Sequence, residues 1–222
     1  MEIHFVIPYR DRLAHWVQFY PHIVAHSKGR YTPYFWVAEQ AEGRPFNRGA
    51  LLNLGTLAVK AEFGAEARIV LHDVDMLPSS HVNYCAMEAD FVHLATSCTQ
   101  FKNQMPYRDY FGGVVMTTVK AMESVGGFPN NFWGWGGEDD ALLIRVQYRD
   151  FEEVHRSNTH YHSLSHDRTI DTGLLSNNRE LLEQERRNPC RAYGIEHVQK
   201  EWNCEPVPTD LHGVRWLACS PK

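Results

Sequence analysis

Short runs of apolar residues alternate with helical patterns in the first third of the chain. The runs at residues 3–7, 32–38 and 68–72 are mostly apolar and end in polar or proline-containing segments, which predicts buried strands. Over residues 12–27, apolar residues return every three to four positions, as expected for a helix with a break or kink near Pro21. The stripe predicted to face the core consists of Leu13, Trp16, Val17, Tyr20 and Val24.

A second helix is predicted to begin after residue 46. Asn47 has the short polar side chain expected of an N-cap, and the positions predicted to face inward are Leu51, Leu54, Leu57 and Ala61. Later patterns predict a short helix or turn at 120–125, helices at 138–148 and 177–188, and strands at 90–97, 112–118, 151–156, 195–202 and 213–219. No linker, repeat or low-complexity segment interrupts this order, so a single α/β domain over residues 1–222 is expected.

The charge balance argues against nucleic acid as a partner. The chain has 22 Lys and Arg residues against 27 Asp and Glu residues, a net charge of −5, and no block of basic residues. No apolar run approaches the length of a membrane span, and the N-terminus lacks the features of a signal peptide. Either a cytosolic protein or a catalytic domain separated from its anchor is therefore expected.

Five cysteines occur without the spacing of a zinc site. Because the number is odd, at least one thiol stays outside any intrachain disulfide. Cys204 and Cys219 are the pair expected to bond if the compartment is oxidising, a condition that the sequence does not decide.

Residues 132–140 (FWGWGGEDD) carry the strongest chemical signal. They combine two tryptophans, three glycines and three consecutive carboxylates, directly before a predicted helix. Tryptophan offers a flat apolar platform, glycine permits tight bends and close approach to a ligand, and acids at a helix start are kept ionised by the helix dipole. This combination predicts a site for a polyhydroxylated ligand, with a carboxylate as base.

Two further segments carry arginines suited to phosphate. The turn Tyr9-Arg10-Asp11-Arg12 follows the first strand, where ligands bind in open α/β sheets, and a guanidinium matches phosphate oxygens. The alternative is a solvated turn with surface ion pairs. Phe46 and Arg48 are candidates to stack on a base and hold a phosphate.

A metal site is suggested by carboxylates and histidines. Asp73 and Asp75 are separated by one residue at the end of the third strand, an arrangement suited to a divalent cation that bridges phosphate oxygens, although such pairs are common in loops. His160, His162 and His166 offer imidazole ligands, or form a surface cluster with no ligand. The pair Gly112-Gly113 predicts close approach of the backbone to a ligand or another strand.

Five segments together resemble the β-1,4-galactosyltransferase family (glycosyltransferase family 7) in sequence, order and spacing. They are FVIPYRDR (5–12), FNRGALLNLG (46–55), HDVDMLP (72–78), YFGGV (110–114) and FWGWGGEDD (132–140). The similarity covers roughly residues 3–170. The short loops and the histidine-rich segment look most like the xylosylprotein galactosyltransferase branch.

The resemblance implies a GT-A fold, which is a Rossmann-like mixed sheet flanked by helices. It also implies an inverting, Mn²⁺-dependent transfer of galactose from UDP-galactose, in β-1,4 linkage, to a glycan or glycoside acceptor such as a xyloside or an N-acetylglucosaminide. If the chain is an excised catalytic domain, the implied compartment is the Golgi lumen.

The family's site residues map onto matching positions of this sequence. The implied donor-binding residues are Pro8, Tyr9, Arg10, Arg12, Phe46, Arg48, Asp73, Val74, Tyr110, Gly113 and Trp135. A tyrosine at position 110 goes with galactose as the donor sugar. The implied acceptor-binding residues are Trp135, Gly137, Glu138 and Asp139, with Asp139 as the catalytic base.

The metal and cysteine positions depart from the family pattern. Asp75 and His166 match two metal ligands, but the upstream ligand position falls on Ser163 or Leu164, so His162 is the substitute expected if the loop is rearranged. Cys85 matches a half-cystine of some members, but Arg68 stands near its partner's position, so that disulfide is expected to be absent.

Within one domain, we expect a donor and metal half at about 1–118, an acceptor and catalytic half at about 119–170, and a C-terminal cover at 171–222. Two other functions remain open at this stage. One is a non-catalytic carbohydrate-binding protein on the same fold, and the other is a metal-dependent sugar-nucleotide hydrolase built on Asp73 and Asp75.

Overall fold

The computed structural model describes residues 1–149, 154–165 and 170–222. Within these residues the chain forms ten strands and six helices. The strands are β1 (Glu2–Tyr9), β2 (Thr32–Gln40), β3 (Arg68–His72), β4 (Met76–Pro78), β5 (Phe91–His93), β6 (Val114–Thr118), β7 (His155–Arg156), β8 (Tyr161–Ser163), β9 (Trp202–Val207) and β10 (Val214–Pro221). The helices are α1 (Leu13–Ser27), α2 (Arg48–Phe63), α3 (Val119–Ser124), α4 (Glu138–Tyr148), α5 (Thr172–Arg187) and α6 (Val198–Glu201).

A mixed eight-stranded sheet forms the centre, in the order β7-β5-β6-β3-β1-β2-β10-β9. β1 runs parallel to β2 and β3, and β10 runs parallel to β2. β6 is antiparallel to both β3 and β5, while β9 is antiparallel to β10. β4 and β8 form a separate antiparallel pair. All three predicted parts of the domain contribute strands to the large sheet.

Helices cover both faces of the central strands, which explains their nearly continuous apolar sequence. On β1, Phe5 and Ile7 share a core cluster with α1, whereas Val6 shares one with α2. Helix α2 lies very close to β1, because a Cβ added at Gly55 would stand 2.4 Å from the Cγ1 atom of Val6. A side chain at position 55 would therefore push α2 away from β1.

The predicted core face of α1 is wrong in part. Leu13 and Val17 are exposed, at 66% and 58%, whereas Trp16, Phe19 and Ile23 are buried. The large rings decide the rotation of the helix, since Trp16 and Phe19 both contact Phe35 of β2. The helix also runs without interruption through Pro21, where a break or kink was expected.

Helix α2 follows the prediction at its start. The Asn47 side chain accepts a hydrogen bond from the backbone N–H of Ala50 at 2.9 Å, which confirms the N-cap. Leu51 and Leu54 are buried as expected and Leu57 is half-buried, but the inward position predicted for Ala61 is wrong, since Ala61 is exposed.

Several later boundaries differ from the predictions. Of the segment predicted as a strand at 195–202, residues 195–201 form a turn and the short helix α6, and only Trp202 belongs to a strand, as the first residue of β9. Ile195 donates a backbone hydrogen bond to Gly126 O at 2.9 Å. Helix α5 begins five residues before its predicted start, where the side chain of Asp171 caps it. Strands β5, β6 and β7 are shorter than predicted, and 151–153 of the strand expected at 151–156 lie outside the described residues.

The C-terminal strands extend the sheet beyond β2, as expected for a closing segment. Cys204 and Cys219 stand directly opposite each other on β9 and β10, with their sulfur atoms 2.7 Å apart. Arg68 donates a hydrogen bond to the carbonyl of Cys85 at 3.0 Å, so the arginine occupies the space beside this thiol. Among the described helices, none is long and apolar enough to cross a membrane.

Candidate active site

The candidate site lies where the end of β3 meets the first turns of α2 and α4. Arg48 is the first residue of α2 and reaches carboxylates on both neighbours. Its Nε donates to Asp73 Oδ1 at 2.7 Å, and its Nη1 donates to Asp139 Oδ1 at 2.5 Å. Glu138 Oε1 lies 3.5 Å from the same Nη1 atom. One guanidinium therefore joins an acid of the predicted donor half to both acids of the predicted acceptor half.

This cluster is largely withdrawn from solvent. The side chains of Arg48 and Glu138 are 13% and 11% exposed, and those of Asp73 and Asp139 are 29% and 22% exposed. Burial raises the pKa of Asp139 well above its ordinary value, while the Arg48 charge opposes this rise. Burial also raises the pKa of Glu138, and the Arg48 charge again opposes this rise. The pKa of Arg48 itself is lowered by burial, but the surrounding carboxylates outweigh this effect and raise it overall.

Gly112 allows the segment before β6 to lie against Asp139. A Cβ atom added to Gly112 would stand 2.6 Å from Asp139 Oδ2 and 2.8 Å from the Tyr110 hydroxyl oxygen. Both groups therefore lie against the α-carbon of this glycine. Gly113 adopts a φ of 79°, which favours glycine, and its carbonyl accepts a hydrogen bond from the backbone N–H of Asp73 at 3.1 Å. The glycine pair thus lies close to neighbouring groups of the site, and its approach to a ligand stays a prediction.

The loop before α4 presents its two tryptophans differently. Trp135 is 52% exposed, whereas the ring of Trp133 stacks on Trp202 at 5.7 Å. Gly134, Gly136 and Gly137 all have positive φ values, and Gly137 is the N-cap of α4. Only the Trp135 ring in this loop is thus presented to solvent as a platform.

The other predicted donor residues line the end of β1 and its surroundings. The Arg10 guanidinium lies over the Phe46 ring, 5.2 Å from its centroid, and donates a hydrogen bond to Arg44 O at 2.7 Å. The Phe46 carbonyl in turn accepts from Gly134 N at 2.8 Å, which links this group to the tryptophan loop. Arg12 precedes α1 and donates a hydrogen bond to the backbone carbonyl of Asp11 at 3.3 Å.

Three predicted donor residues are buried in the fold. Tyr9 is 4% exposed and contacts Trp216 edge to face, Val74 is 6% exposed, and Pro8 is buried opposite Ala38 in the sheet. Their side chains are packed in the interior of the fold, whereas Arg48, Asp73, Tyr110, Gly113, Glu138 and Asp139 meet in one place. Arg10 and Phe46 form a second, neighbouring group.

Two of the three predicted metal ligands lie in the described part of the chain. β8 pairs with β4 so that His162 stands opposite Leu77, and the backbone N–H of Leu164 donates to Asp75 O at 2.7 Å. His162 is exposed. A carboxylate and an imidazole are donors that suit Mn²⁺. Among the described residues no three His, Cys, Asp or Glu side chains form a metal-binding group, and His166 lies outside them.

Sequence reasoning missed two residues that hold the site. His72 donates through Nδ1 to Asp73 O at 2.8 Å and accepts at Nε2 from the Tyr84 hydroxyl at 2.9 Å. Burial lowers its pKa to about 4, so the ring is neutral. Asn178 of α5 donates to the carbonyl of Trp133 at 3.0 Å. His72 had a sequence signal, since it ends an apolar strand and opens the segment 72–78 that resembles the family, but it was given no role, and nothing marked Asn178.

Sequence comparison relates the chain to known glycosyltransferases. Residues 1–87 match the profile described as the N-terminal region of glycosyl transferase group 7, and residues 92–167 match one described as the N-terminal domain of galactosyltransferase. β-1,4-Galactosyltransferase 6 of Rattus norvegicus is 37% identical over 147 residues, which are 66% of this chain and 38% of the relative. β-1,4-Galactosyltransferase 4 of Homo sapiens is 36% identical over 143 residues, 64% of this chain and 41% of the relative.

The matched segment thus spans about two fifths of the length of these curated relatives. Among solved structures, the catalytic domain of Drosophila β-1,4-galactosyltransferase 7 in complex with xylobiose superposes with a TM-score of 0.77 at 24% identity. The superposition covers 100% of this chain and 94% of the Drosophila domain. A mutant of that enzyme in complex with manganese, UDP-Gal and xylobiose gives a TM-score of 0.75 at 20% identity.

These structural likenesses establish the GT-A type of α/β fold predicted above. The two group 7 profiles account for the N-terminal and central parts of the sequence, and the curated relatives that match are β-1,4-galactosyltransferases. The chain therefore belongs to the β-1,4-galactosyltransferase family of glycosyltransferase group 7.

Proposed function

We propose that this chain transfers galactose from UDP-galactose, with inversion and in β-1,4 linkage, to a sugar acceptor. The observation that carries the proposal is the contact of Arg48 with Asp73 on one side and Asp139 on the other, at 2.7 and 2.5 Å. It joins the residues assigned to the donor and to the acceptor into one charged cluster. A sugar bound against this cluster is within reach of a carboxylate base.

The donor is held at two places. Arg10, Arg12 and Phe46 take the UDP moiety, since a guanidinium matches phosphate oxygens and an aromatic ring stacks on a base. Arg48, Asp73, Tyr110 and Gly113 surround the galactose. Carboxylates and a guanidinium that already hydrogen-bond one another are fixed in position, so they bind sugar hydroxyl groups with little loss of side-chain freedom.

The reaction is a single in-line displacement at the anomeric carbon. The acceptor hydroxyl oxygen forms a bond to this carbon while the bond to the β-phosphate oxygen of UDP breaks. Asp139 accepts the proton of the attacking hydroxyl, and UDP leaves with the bonding electron pair. Glu138 hydrogen-bonds the acceptor, beside Gly137 at the helix start. Trp135, exposed on its glycine-rich loop, stacks on a sugar face and excludes water.

Asp75, His162 and His166 are the residues proposed to hold Mn²⁺. When bound there, the ion would neutralise negative charge on the diphosphate. The acceptor is proposed to be a xyloside or an N-acetylglucosaminide. The xyloside is favoured by the fold shared with the Drosophila enzyme that was solved with xylobiose.

We assign different functions to three consecutive parts of the domain. Residues 1–118 bind donor and metal, residues 119–170 bind the acceptor and supply the base, and residues 171–222 cover the site. The hydrogen bond from Asn178 to Trp133 O supports the last assignment, since it attaches α5 to the tryptophan loop.

Incubation of the protein with UDP-galactose, Mn²⁺ and a panel of xylosides and N-acetylglucosaminides tests the proposal. The expected result is UDP release that depends on the acceptor, with a β-1,4-linked product. Release that ignores the acceptor would instead support a sugar-nucleotide hydrolase. Tight glycan binding with no turnover would support a non-catalytic carbohydrate-binding protein.

A further inference from the structure

His93, which is buried, and Arg156, which is half-buried, form a bracket behind the segment that carries Tyr110 and Gly112. His93 is the last residue of β5 and Arg156 is the last residue of β7, and the two are register partners in the sheet. Neither residue belongs to a motif that the sequence analysis singled out. Both contact the backbone of the segment at carbonyl groups, so their effect on the site passes through its main chain.

The hydrogen bonds of the bracket define the state of the histidine. His93 Nε2 lies 2.9 Å from Gly112 O, a carbonyl that can only accept, so Nε2 carries the proton. Nδ1 then has a lone pair, and Arg156 Nη1 donates to it at 3.1 Å. The same Nη1 atom donates to Tyr110 O at 2.7 Å. His93 therefore holds the carbonyl of Gly112, and Arg156 holds the carbonyl of Tyr110.

Burial keeps the imidazole in this neutral form. His93 has no exposed surface, and burial lowers its pKa to about 4, with the Arg156 charge acting in the same direction. The ring also packs against the Tyr110 ring, with the centroids 5.5 Å apart. His93 therefore fixes the segment through both a hydrogen bond and a ring contact.

The position of the Gly112 backbone sets where Tyr110 lies relative to Asp139. Gly112 lies directly between the bracket and the reactive groups, because its carbonyl faces His93 while Asp139 Oδ2 and the Tyr110 hydroxyl lie against its α-carbon. A movement of the Gly112 backbone would shift both Tyr110 and the space beside Asp139. In a preorganised site, a small displacement of a substrate-binding group lowers the reaction rate strongly.

We propose that His93 and Arg156 are positioning residues that hold Tyr110 and Gly112 at the donor sugar. This inference rests on the proposed function for its substrate, since the sugar is the part of UDP-galactose that reaches this segment. The nucleotide is bound elsewhere, by Arg10 and Phe46. Loss of the bracket should therefore weaken recognition of the sugar and leave recognition of UDP intact.

The test compares binding of UDP with binding of UDP-galactose by calorimetry, for the wild type and for His93→Leu, His93→Gln and Arg156→Lys. Glutamine restores a donor toward Gly112 O and an acceptor toward Arg156, whereas leucine restores neither. His155→Gln is the matched control, because His155 is on the same strand as Arg156 but pairs with Glu88 at 2.8 Å. Thermal unfolding of every variant shows which of them remain folded.

For His93→Leu we expect the affinity for UDP-galactose to fall about tenfold or more, as the loss of one buried hydrogen bond implies, with the affinity for UDP unchanged. His93→Gln should recover most of the loss, and the KM for UDP-galactose should follow the same order. Equal weakening of both ligands in a folded variant, or no weakening of either, would overturn the inference. If the His93 variants do not fold, the affinities of Arg156→Lys for UDP and for UDP-galactose are compared with those of the wild type in the same way.

The binding readout separates this inference from the proposed function. A wild-type protein that binds UDP-galactose more tightly than UDP but transfers nothing would contradict transfer, and the variants would still decide the role of the bracket. A wild-type protein that binds UDP-galactose no more tightly than UDP would contradict the role proposed for the bracket.

Discussion

Arg48 Nη1 and Asp139 Oδ1 lie 2.5 Å apart and join two residues separated by 91 positions in the sequence. The contact brings the first turn of α2 against the first turn of α4. It also places a positive charge beside the residue proposed as the catalytic base. Charge-assisted hydrogen bonds of this length are strong, so the carboxylate is held in a fixed orientation.

Replacement of the base should abolish transfer without loss of the donor site. Asp139→Asn removes the proton acceptor while keeping a side chain of similar size, so kcat should fall by about 10²- to 10⁴-fold. Binding of UDP, measured by calorimetry, should change little. Asp140→Asn is the control, because Asp140 accepts a hydrogen bond from the Tyr107 hydroxyl instead of contacting Arg48. Wild-type activity in Asp139→Asn would remove this residue as the base.

The activity should decline on the acid side at a pH above that of an ordinary aspartate. Burial raises the pKa of Asp139, and only the deprotonated form accepts a proton, so activity is present above this raised pKa and lost as the pH falls through it. In Arg48→Gln the opposing positive charge is gone, and the acid limb should move to still higher pH. Profiles of kcat against pH measure both values. Arg149→Gln is the control, because Arg149 is the exposed C-cap of α4, at the opposite end of that helix from Asp139. An acid limb that stays in place in Arg48→Gln, while Arg149→Gln behaves like the wild type, would exclude the electrostatic role of Arg48.

Gly112→Ala should damage the site through size alone. The added Cβ would stand 2.6 Å from Asp139 Oδ2, and Gly112 does not have the positive φ that would add backbone strain. A displacement of this kind is expected to reduce kcat/KM by about 10²-fold. Gly173→Ala in the first turn of α5 is the matched control, since its Cβ would meet only Asp171 Oδ1, at 3.3 Å. Equal effects of the two substitutions on kcat/KM would argue against a specific contact at Gly112.

His162→Ala should raise the manganese concentration needed for half-maximal activity. His162 lies on β8 beside the segment of Asp75, and the imidazole is proposed as a metal ligand. His160→Ala serves as the control, because His160 Nδ1 hydrogen-bonds the Ser97 hydroxyl at 3.0 Å. Manganese titrations of chelator-treated protein give the comparison. Identical titrations for wild type and His162→Ala would exclude this histidine as a ligand.

Mild oxidation should join Cys204 to Cys219 and stabilise the edge of the sheet. Their sulfur atoms are 2.7 Å apart on neighbouring antiparallel strands. A bond that closes a loop of about 15 residues is expected to contribute about 3 kcal/mol to the free energy of unfolding. Thiol titration should show two of the five thiols lost, and thermal unfolding should move to higher temperature. Five titratable thiols after oxidation would contradict the pairing.

Local sequence patterns were sufficient for the central elements of the fold. The apolar runs predicted β1, β2 and β3, the polar side chain of Asn47 predicted the start of α2, and the acidic run predicted the start of α4. Such features depend on neighbours within a few positions, which the sequence displays directly. The segments that resemble the family also named the residues that meet at Arg48.

The pairing of those residues was decided by the tertiary structure. The sequence marked Arg48 for phosphate, but only the packing of α2 against α4 placed its guanidinium on Asp139. In the same way, sequence spacing put Leu13 and Val17 in the core, but the bulk of Trp16 and Phe19 against Phe35 turned them to solvent.

The bracket of His93 and Arg156 had no sequence signal at all. The two residues are 63 positions apart and become partners because β5 and β7 lie side by side in the sheet. The sequence by itself determined the central strands and helices and the segments that carry the chemistry, since these follow from local periodicity and residue type. The order of the strands brought distant side chains within hydrogen-bond distance, and for that reason only the tertiary structure decided how the site is held together.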